Sequence, residues 1–337
     1  MRTVFFGSPA AALPSLEALL DAGHSVELIV SQPDRPAGRG RRLTPSPVKS
    51  FALERGLPVI EPARIRTDEN ALERIRAAAP DVNIVVAYGQ IIPRSIHYFP
   101  PRHSLNVHFS LLPKYRGAAP VQWTVLNGDA ESGVTIIELD DRMDEGDILA
   151  SERVAVGPRE TASALESRLA VLGARLIVST LAGLDGLPHL KQDDAQATLA
   201  PKIRKEDGRI DWSRSADEID RRVLALADRP GVFTSVKGRR VSLLKGRALG
   251  PIDGYWPVRR VDHLGVVRMV RDTVSRYLAK AAEPGEIVWI DKPGIEVACG
   301  GKTAYLVEEL QPEGKGVMTA YAFSLGTKLS PGDIIGI

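Results

Sequence analysis

Asn106 and His108 sit two residues apart at the end of the apolar run Ser104-Leu105-Asn106-Val107-His108, and the chain then turns through Ser110-Leu111-Leu112-Pro113. On a strand, residues i and i+2 share a face about 6.5–7 Å apart, so one carbonyl-sized group can touch both side chains. An amide can polarise a carbonyl oxygen and an imidazole can move a proton; together they suit acyl transfer to an amine. Asp144 is the third group, 36 residues beyond His108 in the loop Asp140-Asp141-Arg142-Met143-Asp144-Glu145-Gly146-Asp147. Consecutive elements are usually neighbours in space, so this loop is expected to fold over His108, where a carboxylate favours imidazolium.

The elements that must position these groups are legible as alternating apolar strands and helical patterns. Thr3–Phe6, Ser25–Ser31, Pro58–Ile60, Val82–Ala87, Ser104–Phe109 and Val134–Leu139 read as strands, with helices over Ala10–Ala22 and Asp68–Ala78. Strands separated by helices predict an α/β, doubly wound, mostly parallel sheet covered on both faces. Ligands of such sheets lie beyond the carboxyl ends of the strands, where the Asn106–His108 pair falls. A helix over Thr161–Leu181, with Leu165, Leu169, Leu172, Leu176 and Ile177 on one face, should close a first domain spanning 1–185. Residues 186–204, rich in Gly, Pro and polar residues, read as a linker. Residues 205–337 form the second domain. It holds a helix near Ala216–Leu226 and short strands at Val232–Val236, Arg240–Lys245, Gly285–Ile290, Gly294–Cys299 and Lys302–Glu309, a pattern that predicts a small β-barrel.

Several classes are excluded or disfavoured. The turn Phe6-Gly7-Ser8-Pro9 has one glycine where a dinucleotide fingerprint needs three, which disfavours a nicotinamide oxidoreductase. The single Cys299 rules out an internal disulfide framework. The six histidines are scattered, with no HxxxH pair and no cysteine cluster, so no metal site is expected. No uninterrupted run of 18 apolar residues occurs, so no membrane span is expected, and the opening MRTVFFGSP reads as a strand and turn rather than a secretion signal. A cytoplasmic, monomeric enzyme is the expectation. The net charge of +2 is uneven: residues 1–201 carry 21 basic and 24 acidic side chains, residues 202–280 carry 19 and 10, and the remainder 4 and 8. A basic segment in a nearly neutral chain points to a polyanionic partner.

Asn106-Val107-His108 followed by Ser110-Leu111-Leu112-Pro113-Lys114-Tyr115-Arg116-Gly117-Ala118-Ala119-Pro120 resembles the signature of the 10-formyltetrahydrofolate-dependent formyltransferases. Gly133-Val134-Thr135-Ile136 and Met143-Asp144-Glu145-Gly146-Asp147-Ile148-Leu149 are similar to the family's second motif. The resemblance extends from Thr3 to roughly Gly316. It implies a Rossmann-like catalytic domain and an OB-like C-terminal barrel that contacts tRNA. It also implies that Asn106 binds the formyl oxygen and the tetrahedral oxyanion, that His108 exchanges protons with the amine and folate N10, and that Asp144 orients and charges His108. Ser110, Leu111, Leu112 and Pro113 would border the tetrahydrofolate, and a pteridine pocket would be lined by Val86, Ala87, Tyr88, Gly89 and the Asp140–Asp144 loop. The co-substrate is then 10-formyltetrahydrofolate, without a metal. Phe109 stands where relatives usually carry a small residue, the turn Leu226–Thr234 replaces a more aromatic one, and the Arg-rich stretch 246–282 is longer than usual.

Within the family the resemblance is strongest to members whose acceptor is the α-amine of methionine esterified to initiator tRNA. They carry an insertion like Gln32–Lys49. Here residues 34–49 hold five basic side chains and one acidic, four of them within eight positions and interleaved with glycine. Such an arm, with Arg39, Arg41, Arg42 and Lys49, is suited to phosphates of an acceptor stem. Amino-sugar nucleotide formyltransferases and formyltetrahydrofolate hydrolases, the alternatives with the same chemistry, generally lack the Arg39-Gly40-Arg41-Arg42 insertion. A non-catalytic RNA-binding barrel beside a degenerate enzyme domain is a further alternative, opposed by the presence of all three of Asn106, His108 and Asp144.

Overall fold

The computed structural model describes residues 1–37, 42–249 and 282–336. The chain divides into two compact units, one of Met1–Thr124 with Asp129–Lys202 and one of Val125–Gly128 with Ile203–Ile337. The strands of the first unit are β1 (Arg2–Gly7), β2 (Ser25–Val30), β3 (Arg35–Ala37), β4 (Arg42–Thr44), β5 (Val59–Ile60), β6 (Val82–Val86), β7 (Ser104–His108), β8 (Arg116–Gly117), β9 (Glu131–Glu138), β10 (Ile148–Ala155) and β11 (Leu199–Ala200).

Seven of these form one sheet in the order β10-β9-β7-β6-β1-β2-β5. β7, β6, β1, β2 and β5 are mutually parallel. β6 is buried along its whole length, which is why Val82–Val86 reads as an unbroken apolar run. The helix Glu69–Ala77 that precedes it starts at Asp68, whose carboxylate accepts from Ala71 N, and buries Ala71, Leu72 and Ile75.

The sheet departs from the expected parallel set at β9. This strand runs antiparallel to β7, with His108 opposite Thr135 and Leu105 opposite Glu138, because the intervening chain returns to the end of the strand it left. The following loop therefore starts beside Ser104, where Leu139 N donates to Ser104 O at 2.8 Å. It reaches Asn106 and His108 by travelling back along the strand, not by capping its end.

The helix Ala162–Ala182, N-capped by Thr161, buries Leu165, Leu169, Leu172, Ile177 and Leu181. It packs on β7, β9 and β10. Its Gly173 faces Val107 and Phe109. A Cβ there would lie 2.7 Å from Val107 Cγ1, so the glycine leaves the room that Val107 fills, whereas Phe109 Cε1, at 3.5 Å, would be in ordinary contact with it. The stretch Ala162–Gly186 is long and apolar enough to cross a membrane by length and composition, and half of its most apolar window is buried inside the protein.

The residues expected as a linker lie on the first unit as far as Lys202. Leu190 bridges Ile148, and β11 pairs with β8 in parallel. The second unit contains β12 (Val232–Val236), β13 (Arg239–Leu249), β14 (Ile287–Asp291), β15 (Gly294–Cys299), β16 (Thr303–Pro312) and β17 (Met318–Thr319). They form an antiparallel sheet in the order β12-β13-β16-β15-β14, with β17 on β16. The helix Ala216–Leu226 opens with a capping box between Ser215 and Glu218, and Ala320–Thr327 supplies the last helix. Most of the Arg-rich 246–282 stretch lies outside the described residues.

Candidate active site

Period-two geometry places Asn106 and His108 on one face of β7, and the returning loop brings Asp144 to both. Asn106 Nδ2 donates to Asp144 Oδ1 at 3.3 Å. His108 Nδ1 faces the same oxygen at 3.7 Å, a charge contact too long for a hydrogen bond. Asp144 Oδ2 accepts from Gly117 N at 2.8 Å. His108 Nε2 lies 3.0 Å from the Tyr115 carbonyl. A carbonyl only accepts, so Nε2 carries the proton and Nδ1 is the basic nitrogen, aimed at Asp144. A proton taken at Nδ1 would then stand against a carboxylate. His108 is 5% exposed and Asp144 13%, so this charge contact is poorly screened.

Backbone conformation is shaped around the same point. Tyr115 and Asp144 adopt left-handed φ values of 65° and 57°, and Ala87, on the cavity wall, 48°. Such conformations in non-glycine residues cluster at functional sites. Gly117 has φ 127°, and a Cβ there would meet Ala200 O at 2.6 Å, so the amide that holds Asp144 depends on glycine.

A polar network fixes the loop from behind. Gln192 Nε2 donates to the carbonyls of Asp144 and Gly146, both at 2.8 Å, and Gln192 Oε1 accepts from Arg116 Nε at 2.9 Å. The buried Arg116 guanidinium also binds Asp194 at 2.7 Å, which lowers that carboxyl's pKa. Gln192 lies in the segment expected as a linker, and nothing in its local sequence marks it. The Tyr115 carbonyl and Gly117 amide are equally invisible to a reading of side chains. The Arg116-Gly117 pair within the signature is the nearest available hint.

Asn106, His108 and Asp144 open on a cavity of about 650 Å³. Apolar walls come from Val85, Ile91, Ile92, Leu139 and Met143, while Asp140, Asp141, Arg94 and His97 supply polar groups. Of the expected folate-binding residues, Ala87, Tyr88, Gly89 and Asp140 line it. Val86 is fully buried in the sheet. The Tyr88 ring packs edge-on against Phe6 in the core, and burial pushes its phenol pKa up.

Ser110, Leu111, Leu112 and Pro113 are not on the cavity wall. The turn is tied internally and to β9: Ser110 Oγ donates to Lys114 O, Thr135 Oγ1 donates to Ser110 O, and Leu112 N donates to Thr135 Oγ1. The Leu112–Pro113 peptide is cis.

At the basic arm, Arg39 and Arg41 lie outside the described residues. Arg42 is exposed on the hairpin that β4 makes with β3. Lys49 is no free cation. Its ammonium sits 2.7 Å from both Asp34 and Glu61, an arrangement that raises its pKa and lowers that of Asp34. Among the described residues no group of three or more His, Cys, Asp or Glu is placed to hold a metal ion.

Comparison with known proteins adds to this geometry. Residues 1–181 match the formyl transferase family, and residues 202–328 match its C-terminal domain. The chain is similar to a methionyl-tRNA formyltransferase of Desulfotalea psychrophila, 42% identical over 98% of this chain and 94% of the relative. It is 41% identical to one of Koribacter versatilis, over 100% of this chain and 99% of the relative. Among solved structures it resembles the methionyl-tRNA formyltransferase of Clostridium thermocellum, with a TM-score of 0.52 and 16% identity over 75% of this chain and 95% of that one. The last similarity speaks to fold alone.

Proposed function

The chain belongs to the formyl transferase family, and from that premise we propose that its site moves a formyl group from N10 of 10-formyltetrahydrofolate to the α-amine of methionine carried by initiator tRNA. One observation carries the reading: Asp144 is held between Asn106 and Gly117 while facing His108, at the wall of a cavity of folate-compatible size.

The neutral amine attacks the formyl carbon, forming a C–N bond and placing negative charge on the formyl oxygen. Asn106 Nδ2 has one hydrogen on Asp144 and a second available to that oxygen. His108 Nδ1 takes the proton the amine loses, and Asp144 stabilises the resulting imidazolium. Collapse of the intermediate breaks the bond to folate N10, which receives a proton in turn. Tyr115 O holds the imidazole in the required tautomer throughout.

Full-length relatives at 37–42% identity named for the tRNA reaction favour that acceptor over an amino-sugar nucleotide or water. In this reading Arg39, Arg41 and Arg42 contact tRNA phosphates, and the enzyme acts as a cytoplasmic monomer without a metal. The reading assigns Lys49 to anchoring the arm, since both its neighbours are carboxylates. A formyl-transfer assay against charged initiator tRNA, a UDP-amino sugar and water tests the acceptor. Transfer to the tRNA is expected, and transfer only to sugar or water would overturn the reading.

A further inference from the structure

His97 is 4% exposed, and its Nε2 is buried without a hydrogen-bond partner. The ring's other nitrogen is occupied: the imidazole bonds the Ile92 backbone carbonyl, which requires a proton on Nδ1. A neutral His97 therefore points a bare lone pair at Asp141 Oδ1, 3.5 Å away. Two acceptors that close, with no donor between them, repel. A buried polar atom left in that state requires a physical explanation.

The two partners differ in freedom. His97 ends the short helix Arg94–His97, whose backbone is pinned from below by buried side chains. Asn83 Nδ2 donates to Ile96 O at 3.1 Å, and Ser104 Oγ donates to His97 O at 2.9 Å. Asp141 is half-exposed on the 140–144 loop. The same helix holds its other oxygen, with Arg94 Nη1 at 3.0 Å from Oδ2. The ring is fixed and the carboxylate can move. Both line the cavity, and Asp141 precedes Asp144 by three residues.

Resting on the formyl-transfer reading, we propose that His97 is a positioning residue: a proton on its Nε2 closes a two-point clamp on Asp141 and fixes the folate-side wall of the cavity. The other charged and titratable groups facing the ring are Arg94 and Asp140, and the Tyr98 ring packs edge-on against it at 4.2 Å. Burial is the largest influence on His97 and lowers its pKa, with Asp141 opposing. The clamp is therefore open at neutral pH and closes on acidification below the ordinary imidazole range. Asp144 is held independently by Gly117 and Gln192, so the clamp acts on co-substrate binding more than on turnover.

Two substitutions separate this from a merely structural histidine. Leu removes the donor, whereas Gln supplies an amide N–H that needs no titration. Binding of tetrahydrofolate, which cannot transfer formyl, is measured from pH 8 to pH 5.5 by calorimetry. Wild-type affinity is expected to rise roughly fivefold on acidification, the scale of one charge-assisted hydrogen bond at a half-exposed carboxylate. His97→Gln should bind tightly and His97→Leu weakly, both without slope. In steady state at the acid end of that range, His97→Leu should raise KM for the formyl donor and leave kcat within about twofold, and at pH 8 its KM should match wild type. If His97→Leu does not fold, the slope of His97→Gln against wild type still decides. A wild-type slope in either variant overturns the clamp alone, whereas a wild-type protein that binds no tetrahydrofolate at any pH overturns the formyl-transfer reading and the clamp with it.

Discussion

The chemical centre at Asn106–His108–Asp144 and the basic arm at 34–49 belong to one unit and are built on opposite principles. At the centre, Asn106, Gly117 and Gln192 donate to the Asp144 side chain and backbone, the imidazole tautomer is set by a carbonyl, and burial protects the arrangement. The arm is tied at its root, by Lys49 between Asp34 and Glu61 and by Arg35 bonding Gln32. Beyond the root, Arg42, Leu43 and Thr44 are exposed. A formyl carbon must be met within a few tenths of an ångström, so its partners are rigid before it arrives. A long polyanion is met by several screened charges, each replaceable, so little rigidity is required.

The contrast predicts that single changes at the centre act on rate and paired changes at the arm act on salt-sensitive binding. Asn106→Ala is expected to lower kcat roughly a hundredfold or more with an unchanged melting temperature, measured by single-turnover formyl transfer and thermal denaturation. A near-normal rate would remove Asn106 from the mechanism. Gly173→Ala, distant from both regions in sequence, should destabilise the fold by roughly 1–3 kcal/mol through overlap with Val107. Urea denaturation reads this, and wild-type stability would mean that Val107 is not seated as described.

Removing Arg41 and Arg42 together should weaken tRNA binding and flatten its dependence on log salt by roughly 1–2 units, while folate affinity is spared. Lost folate affinity would contradict the division between centre and arm. A smaller effect concerns His97, whose pKa is lowered in the folded protein. The unfolded chain then binds more protons as pH falls below about 6.5. The stability this histidine permits is present above that value and is lost on acidification toward the lowered pKa. His97→Leu should flatten that acid-side loss in pH-dependent denaturation, and an unaltered curve would show that His97 is not the titrating group.

The sheet was readable because buried parallel strands and helix faces leave periodic apolar patterns, as at Val82–Val86 and Leu165–Leu172. The antiparallel direction of β9 was not, since side-chain periodicity is the same in either direction. Phe109 looked anomalous within its own motif. Gly173, on the helix the ring packs against, lies 64 residues away and is brought to it only by packing. Ser110–Pro113 read as a ligand border from the motif; that Ser110 bonds Lys114 and Thr135, and Leu112 bonds Thr135, is not visible in the letters. Lys49 reads as one more cation of the arm, but the fold places it between Asp34 at the arm's own start and Glu61 from another segment.

By itself the sequence determined the reactive pair. Asn106 and His108 share a face in any strand register, because that relation is local and set by the pleat. Asp144 was identifiable by type and motif. How it acts was decided only by tertiary structure, through the Gly117 amide, the Tyr115 carbonyl and the Gln192 side chain that converge on it or on His108. Two of these are backbone groups, which every residue possesses and no letter of the sequence distinguishes. Gln192 lies 48 positions from Asp144. Such contacts exist only once loop direction and long-range packing have been fixed, and there the chemistry of the site was completed.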